Sequence, residues 1–313
     1  MVSEAAGPLQ TSASTRATPR RSQAFSAWVD RWFHVLSVVP TTLIMLLIFG
    51  VPLAFSFYLS LQGWTPNRSL FGGGFVGLEN FEMLLAEPAF MSSLVLTIGY
   101  TLVTVACEML IGLGIASLLN KDVPLMKGAR SILIMPMMMT PIVAALCWRL
   151  LLDPEYGFVN FLIGQKIVWI GDPFWAPISV AVVNIWQNSP YVAILLLAGL
   201  RSLPSEPVEA AQIDGASRWQ IFWHVTLPAL KPAILVALLL RTIFEFRAFD
   251  NVYVMTGGGP AGATNLLSIY TYSLTFLQFD FTLGAAASWL MLLCSVALCA
   301  LPIVIFRFLE KAR

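Results

Sequence analysis

Four ionisable residues stand together in one apolar run of the chain: Arg241, Glu245, Arg247 and Asp250. A charged group at the centre of a membrane span is unfavourable by ~2.5–3.5 kcal/mol or more, so a functional role is the first hypothesis for each. Arg241 and Glu245 are four positions apart, share a helical face and can pair. Arg241 lies ten residues beyond Lys231, roughly 15 Å at helical rise, which puts it near the midplane. Arg247 and Asp250 lie nearer the outer surface. An earlier apolar run brings Trp186, Asn188 and Tyr191 to a similar depth. Aromatic, amide and charged groups at mid-membrane suit a sugar. Its apolar ring faces stack on Trp or Tyr, while Arg, Glu and Asn satisfy its hydroxyls. The same charges also fit a structural role, with Arg241–Glu245 and Arg247–Asp250 as ion pairs locking a helix into a bundle. Glu108 and Arg149 read as packing or interfacial charges.

Other chemistries find less support. The sequence offers no paired catalytic carboxylates, metal cluster or nucleophile constellation, and its two histidines, His34 and His224, are far apart. That argues against a membrane enzyme. No G-x-x-x-x-G-K-[ST] phosphate loop occurs, and Gly257-Gly258-Gly259-Pro260 lacks the lysine. An ATPase is therefore not encoded, and no cofactor is expected in this chain. Cys107, Cys147, Cys294 and Cys299 sit inside apolar blocks without ligand spacing and read as small buried hydrophobes. A net charge of +1 gives no reason to expect nucleic acid.

The elements that position these residues follow from hydropathy. Only 11% of the 313 residues are charged, against roughly 25% in soluble chains. Six apolar blocks can cross ~30 Å of hydrocarbon: 35–61, 91–119, 131–152, 175–200, 232–255 and 282–306. Of the 18 Lys and Arg residues, 13 fall in the tails and alternate loops on one side, and only Arg68 and Lys166 in the loops opposite. That asymmetry places both termini in the cytoplasm. Residues 1–22, rich in Ser, Thr, Ala, Pro and Arg, read as a disordered tail. Phe25, Trp28 and Trp32 then recur at helical spacing and fit a short interfacial helix on membrane lipid. The resulting divisions are 1–34, tail and interfacial helix; 35–90, first span and outer loop; 91–306, core; and 307–313, tail.

The cytoplasmic segment 204–228 is longer than a helix hairpin needs. Its pattern is two short helices. Ser205 can cap the first, with Glu206 and Glu209 near its positive end. Gly215 breaks it. Trp219, Phe222 and Trp223 form an apolar face on the second, which Leu227-Pro228 ends. Aromatics displayed toward the cytoplasm need a cover, either lipid headgroups or a soluble subunit.

The spacing Glu209-Ala210-Ala211, Gly215, Val225 and Leu227-Pro228 resembles the EAA loop of binding-protein-dependent ABC importers. Asn184-Ile-Trp186-Gln-Asn188-Ser-Pro190-Tyr191 and Thr256-Gly-Gly-Gly-Pro260 resemble the maltose-type carbohydrate permeases, of the larger-partner type, over about 91–306. The chain lacks the extra spans and external insert of the maltose protein. Where that protein has small polar residues, this chain has Arg241 and Glu245.

The resemblance implies an all-α membrane protein with six transmembrane helices of the type I ABC importer fold, in a bacterial inner membrane. It implies a sister permease, a homodimer of ATP-binding subunits holding ATP and Mg, and an external solute-binding protein. Glu209, Ala210, Ala211, Asp214, Gly215, Trp219 and Phe222 would dock on the ATPase as a coupling helix. Trp186, Asn188, Tyr191, Arg241 and Glu245 would line the path of a carbohydrate. The rival reading is an ion-coupled secondary transporter with Glu245 or Asp250 as proton carrier. Such folds usually show internal repeats, and none is convincing here.

Overall fold

The structure is a computed structural model that describes residues 21–63, 74–120 and 125–311. Among them the regular elements are helices, with one isolated antiparallel bridge between Gln62 and Phe75. Contacts divide the chain into two compact units, Met1–Ser56 and Phe57–Arg313.

The described part of the first unit is helical. α1 (Arg21–Met45) passes through a π turn, Leu46–Gly50, into α2 (Val51–Ser60), which ends in the second unit. Most of the tail expected over 1–22 lies outside the described residues. The interfacial helix expected around Trp28 is not a separate element, since α1 is unbroken from Arg21. The apolar side chains from Leu43 to Phe49 are exposed, as on a helix whose solvent is lipid.

The second unit continues with α3 (Glu79–Ala86), α4 (Pro88–Leu119), α5 (Leu125–Met138), α6 (Pro141–Leu151), α7 (Phe158–Ile163) and α8 (Trp175–Ser202). The segment 204–228 holds α9 (Glu206–Ile213), α10 (Arg218–Ile221) and, at its end, α11 (Leu227–Ala229). Then come α12 (Lys231–Phe246), α13 (Asp250–Thr256), α14 (Leu267–Tyr272) and α15 (Phe281–Lys311). Four described helices are long and apolar enough to span a membrane: Arg31–Ser60, Pro88–Leu119, Trp175–Ser202 and Phe281–Val304. Two bent pairs bring the number to six if each is one span.

Two of these helices form the spine. α8 packs most extensively on α4 and also meets α5, α6, α12 and α13. The contact face of α4 carries Ser93, Thr97, Thr101, Thr104, Glu108, Gly112 and Ala116, a stripe at steps of three or four residues. Small residues let membrane helices approach closely, since lipid gives no hydrophobic drive between them. At Gly112 a Cβ would fall 2.6 Å from Val192 Cγ1. At Gly199 it would fall 2.6 Å from Ala233 Cβ, where α8 meets α12. The apolar packing of Ala116, Val192, Leu196, Leu230 and Ala237 fills the space between these three helices.

Two expected spans are broken. The block 131–152 is not continuous, because α5 and α6 meet at 101°. Pro141 disfavours helical geometry at the residue before it, and Thr140 is accordingly extended at ψ 144°. The block 232–255 is interrupted between Phe246 and Asp250.

The segment 204–228 forms the expected pair of short helices, with three differences. Ser205 stands at the start of α9 but its side chain makes no cap; its main-chain carbonyl accepts from Val208 and Glu209 instead. The working cap is Ser217, which accepts from the Gln220 amide while Gln220 Oε1 accepts from the Ser217 amide at 2.8 Å. Pro228 does not end the second helix. It needs no N–H in the first turn of α11, and the helix bends by 65° only after Ala229. The cysteines also differ from expectation. All four are free, Cys147 is exposed, and the others are partly buried, because apolar side chains here face outward as well as inward.

Candidate functional site

The interruption between α12 and α13 opens a cavity of about 420 Å³ against α8 and the α5–α6 joint. A cavity of this size holds a small molecule. Its wall carries unusually many polar groups for the interior of a membrane bundle: Asn184, Gln187, Asn188, Arg241, Glu245, Arg247, Asp250 and Asn251. Three of these were expected site residues: Asn188, Arg241 and Glu245.

Arg241 is the hub. It is only 4% exposed, Glu245 3% and Glu108 0%. Its Nε donates to Glu108 Oε2 at 2.8 Å and its Nη2 to Glu108 Oε1 at 3.1 Å. The same Nη2 reaches Glu245 Oε1 one turn along α12. Glu245 Oε2 accepts from Asn184 Nδ2, which also donates to the Tyr100 hydroxyl at 2.8 Å. Asn188 Nδ2 donates back to the Asn184 carbonyl at 3.0 Å. The pair inferred from sequence is thus a triad of two carboxylates around one guanidinium. Its third member, Glu108, read from sequence as a packing or interfacial charge, is fully buried and joins α4 to α12.

The aromatic residues stand differently. Tyr191 does not line the cavity; its ring lies 6.0 Å from Arg241 Cζ, supporting the guanidinium from behind. Trp186 also lies off the wall, edge-on to Trp148 at 5.4 Å. Arg247 and Asp250 are both exposed at the cavity wall, and no ion pair joins them. The helix turns out of register between them, so the i, i+3 geometry is lost. Arg149, read as packing or interfacial, donates to the Val254 carbonyl at 3.2 Å and ties α6 to α13.

Asn184, Gln187 and Asn251 were not in the expected site. The first two share a face of α8 with Asn188 at i, i+3 and i+4, a signal present in the sequence. Asn251 had none, because it needs the break before α13.

The segment 204–228 carries the second candidate site. Gly215 stands at φ +80° between α9 and α10, a left-handed conformation that favours glycine. Glu209, Ala210 and Asp214 are exposed, and Ala211 is half-buried. Trp219 is 69% exposed. It stacks on Phe222 at 6.1 Å and meets Trp223 edge-on at 5.6 Å, so the three rings form one aromatic surface. Ile221, between them, points the other way and is buried. His224 does not pack; it is exposed, with Nδ1 3.0 Å from the Gln220 carbonyl. Outside the spans, the loop after α6 is held by Asp153, whose carboxylate accepts from the Tyr156 and Glu155 amides at 2.9 Å. Those two bonds hold it below the usual carboxylate range.

Comparison with known proteins places this architecture. Residues 108–313 match the family model of the binding-protein-dependent transport system inner membrane component. The chain is 36% identical over 273 residues to the probable ABC transporter permease protein y4oQ of Sinorhizobium fredii, covering 86% of this chain and 87% of that protein. It is 34% identical over 260 residues to the trehalose/maltose transport system permease protein MalF of Thermococcus litoralis, covering 81% and 86%. Among solved structures, a chain of a bacterial ABC transporter involved in the import of the acidic polysaccharide alginate superposes with a TM-score of 0.77. That match covers 91% of this chain and 98% of the other at 20% identity, and speaks for the fold. The chain belongs to the inner membrane components of binding-protein-dependent transport systems.

Proposed function

We propose that this permease carries a carbohydrate into the cytoplasm, as one of two sister permeases acting with an ATPase homodimer and an external binding protein. The observation that carries the reading is the cavity wall. Amides and charged groups that already hold one another outnumber free charges, which suits a neutral, many-hydroxyl cargo. The relatives' names point the same way, trehalose and maltose among them.

In this reading both termini are cytoplasmic, and the segment 204–228 rests on the ATPase, which binds ATP and Mg. Glu209, Ala210, Ala211, Asp214, Gly215, Trp219 and Phe222 form its contact surface. ATP closes the ATPase dimer, the segment moves with it, and the spans tilt to open outward. Cargo then enters the cavity from the binding protein. Asn188, Arg241 and Glu245 face it, Tyr191 backs Arg241, and Trp186 lies at its flank. No bond is made or broken in this chain.

Proteoliposomes holding the complete transporter provide the test. Uptake of labelled trehalose, maltose or another oligosaccharide should require ATP inside and binding protein outside, and should survive a protonophore. Uptake that collapses with the proton gradient and ignores ATP would overturn the reading.

A further inference from the structure

Only two buried side-chain polar atoms lack a hydrogen-bond partner among the described residues: Thr101 Oγ1 and Asn251 Oδ1. Asn251 is 7% exposed and lies on the cavity wall; Thr101 does not. A buried acceptor left without a donor is unfavourable, so a group that fills it on binding gains from the pairing.

The chemistry of that group is dictated from the other end of a short relay. At the α5–α6 joint, the Met139 carbonyl precedes the extended Thr140, where the helix restarts. Ala144 donates to Thr140, so the restarted ladder begins one residue too late to serve Met139. Gln187 Nε2 donates to this carbonyl at 2.9 Å. A carbonyl only accepts, so Gln187 must turn its NH₂ toward Met139 and its Oε1 away. That Oε1 accepts from Asn251 Nδ2 at 3.0 Å. Asn251 in turn must present its NH₂ to Gln187. What remains unpaired is Oδ1, a buried acceptor on a residue of the cavity wall. Neither amide can flip without opposing two acceptors, so the polarity of the relay is fixed by the backbone.

We propose that Asn251 is a specificity-determining residue whose Oδ1 accepts a hydrogen bond from one hydroxyl of the cargo, with Gln187 and the Met139 carbonyl holding it in that orientation. The proposal rests on the carbohydrate reading of the cavity. It also places a cargo contact two hydrogen bonds from the joint of a broken span. A site built around a substrate hydroxyl rejects the analogue lacking it, because a buried polar group is left unpaired.

The test uses the complete transporter in proteoliposomes with its binding protein. Its probes are a panel of labelled mono- and oligosaccharides, trehalose and maltose included, and the monodeoxy derivatives of whichever sugar is taken up. In the wild type, one monodeoxy derivative should move at least about tenfold more slowly than its parent. In Asn251→Leu the parent should fall to the rate of that derivative, within about twofold. Asn251→Asp keeps an acceptor and loses the donor to Gln187, so it should keep the discrimination while moving both sugars more slowly. Wild-type discrimination in Asn251→Leu would overturn the role of Asn251. So would its loss in Asn251→Asp, which decides the matter if the leucine variant does not assemble. Absence of uptake of any sugar by an ATP-hydrolysing wild type would instead overturn the carbohydrate reading.

Discussion

Arg241 binds Glu108 through both carboxylate oxygens, at 2.8 and 3.1 Å, across 133 positions of chain. α12 and α4 are thereby joined at a point where both side chains are buried. A buried ion pair adds little net stability over an apolar replacement, but removing one partner leaves the other uncompensated.

Arg241→Met is therefore expected to destabilise the permease by about 3–5 kcal/mol, through two buried carboxylates left without a cation. Adding Glu108→Leu and Glu245→Leu to Arg241→Met should restore most of that loss without restoring uptake. Thermal unfolding of the purified complex reads the first effect and vesicle uptake the second. A single variant as stable as the wild type would show that the triad is not closed.

Gln187→Leu removes the donor to Met139 and the acceptor for Asn251. The expected loss is about 1–3 kcal/mol for each buried group left unpaired. The midpoint of denaturant unfolding should fall accordingly. A double variant with Asn251→Leu should be less than additive, since one bond is shared.

Gly199→Leu drives a side chain into Ala233 and Leu230. Overpacking of this kind typically destabilises by about 1–3 kcal/mol. Reduced yield of intact complex on size exclusion is the readout, and Gly114→Leu, on a helix face with open space around it, is the control.

Gly215→Val forces a β-branched residue into the left-handed region, a strain of about 1–3 kcal/mol. Because the turn joins two short helices away from the spans, the bundle should fold normally. The expected defect is coupling: ATP hydrolysis that no longer tracks uptake. Glu209→Lys should give the same phenotype by reversing an exposed charge. Tight coupling in both variants would remove the segment from the proposed contact.

The spans were legible because hydrophobic length is a local property. The paired helices of 204–228 were legible for the same reason, since a glycine and one aromatic triplet act within a dozen residues. Arg241 and Glu245 could be paired from their four-residue spacing alone. Glu108 could not be added, because its distance to Arg241 is set by how α4 lies on α12. The α5–α6 joint shows a different limit. Pro136 and Pro141 were both visible, but prolines are tolerated in membrane helices when neighbours take up the freed carbonyls. Whether Gln187 plays that part depends on the fold. Trp186 and Tyr191 were placed on the wall and stand off it, since depth follows from counting and azimuth from packing.

At Gly112 the α4 and α8 backbones approach so closely that one methyl group would collide. Two surfaces that interlock at such range cannot slide by a fraction of a turn; their relative register takes discrete values only. Graded motion must then be accommodated elsewhere, and the chain supplies the places: Thr140, the break at 247–249, and the bend after Ala229. The pair behaves as a chassis and the joints as its bearings. A fluorescent or spin-label pair across α4 and α8 should therefore report one fixed distance through the transport cycle. A pair across the Thr140 joint should report two.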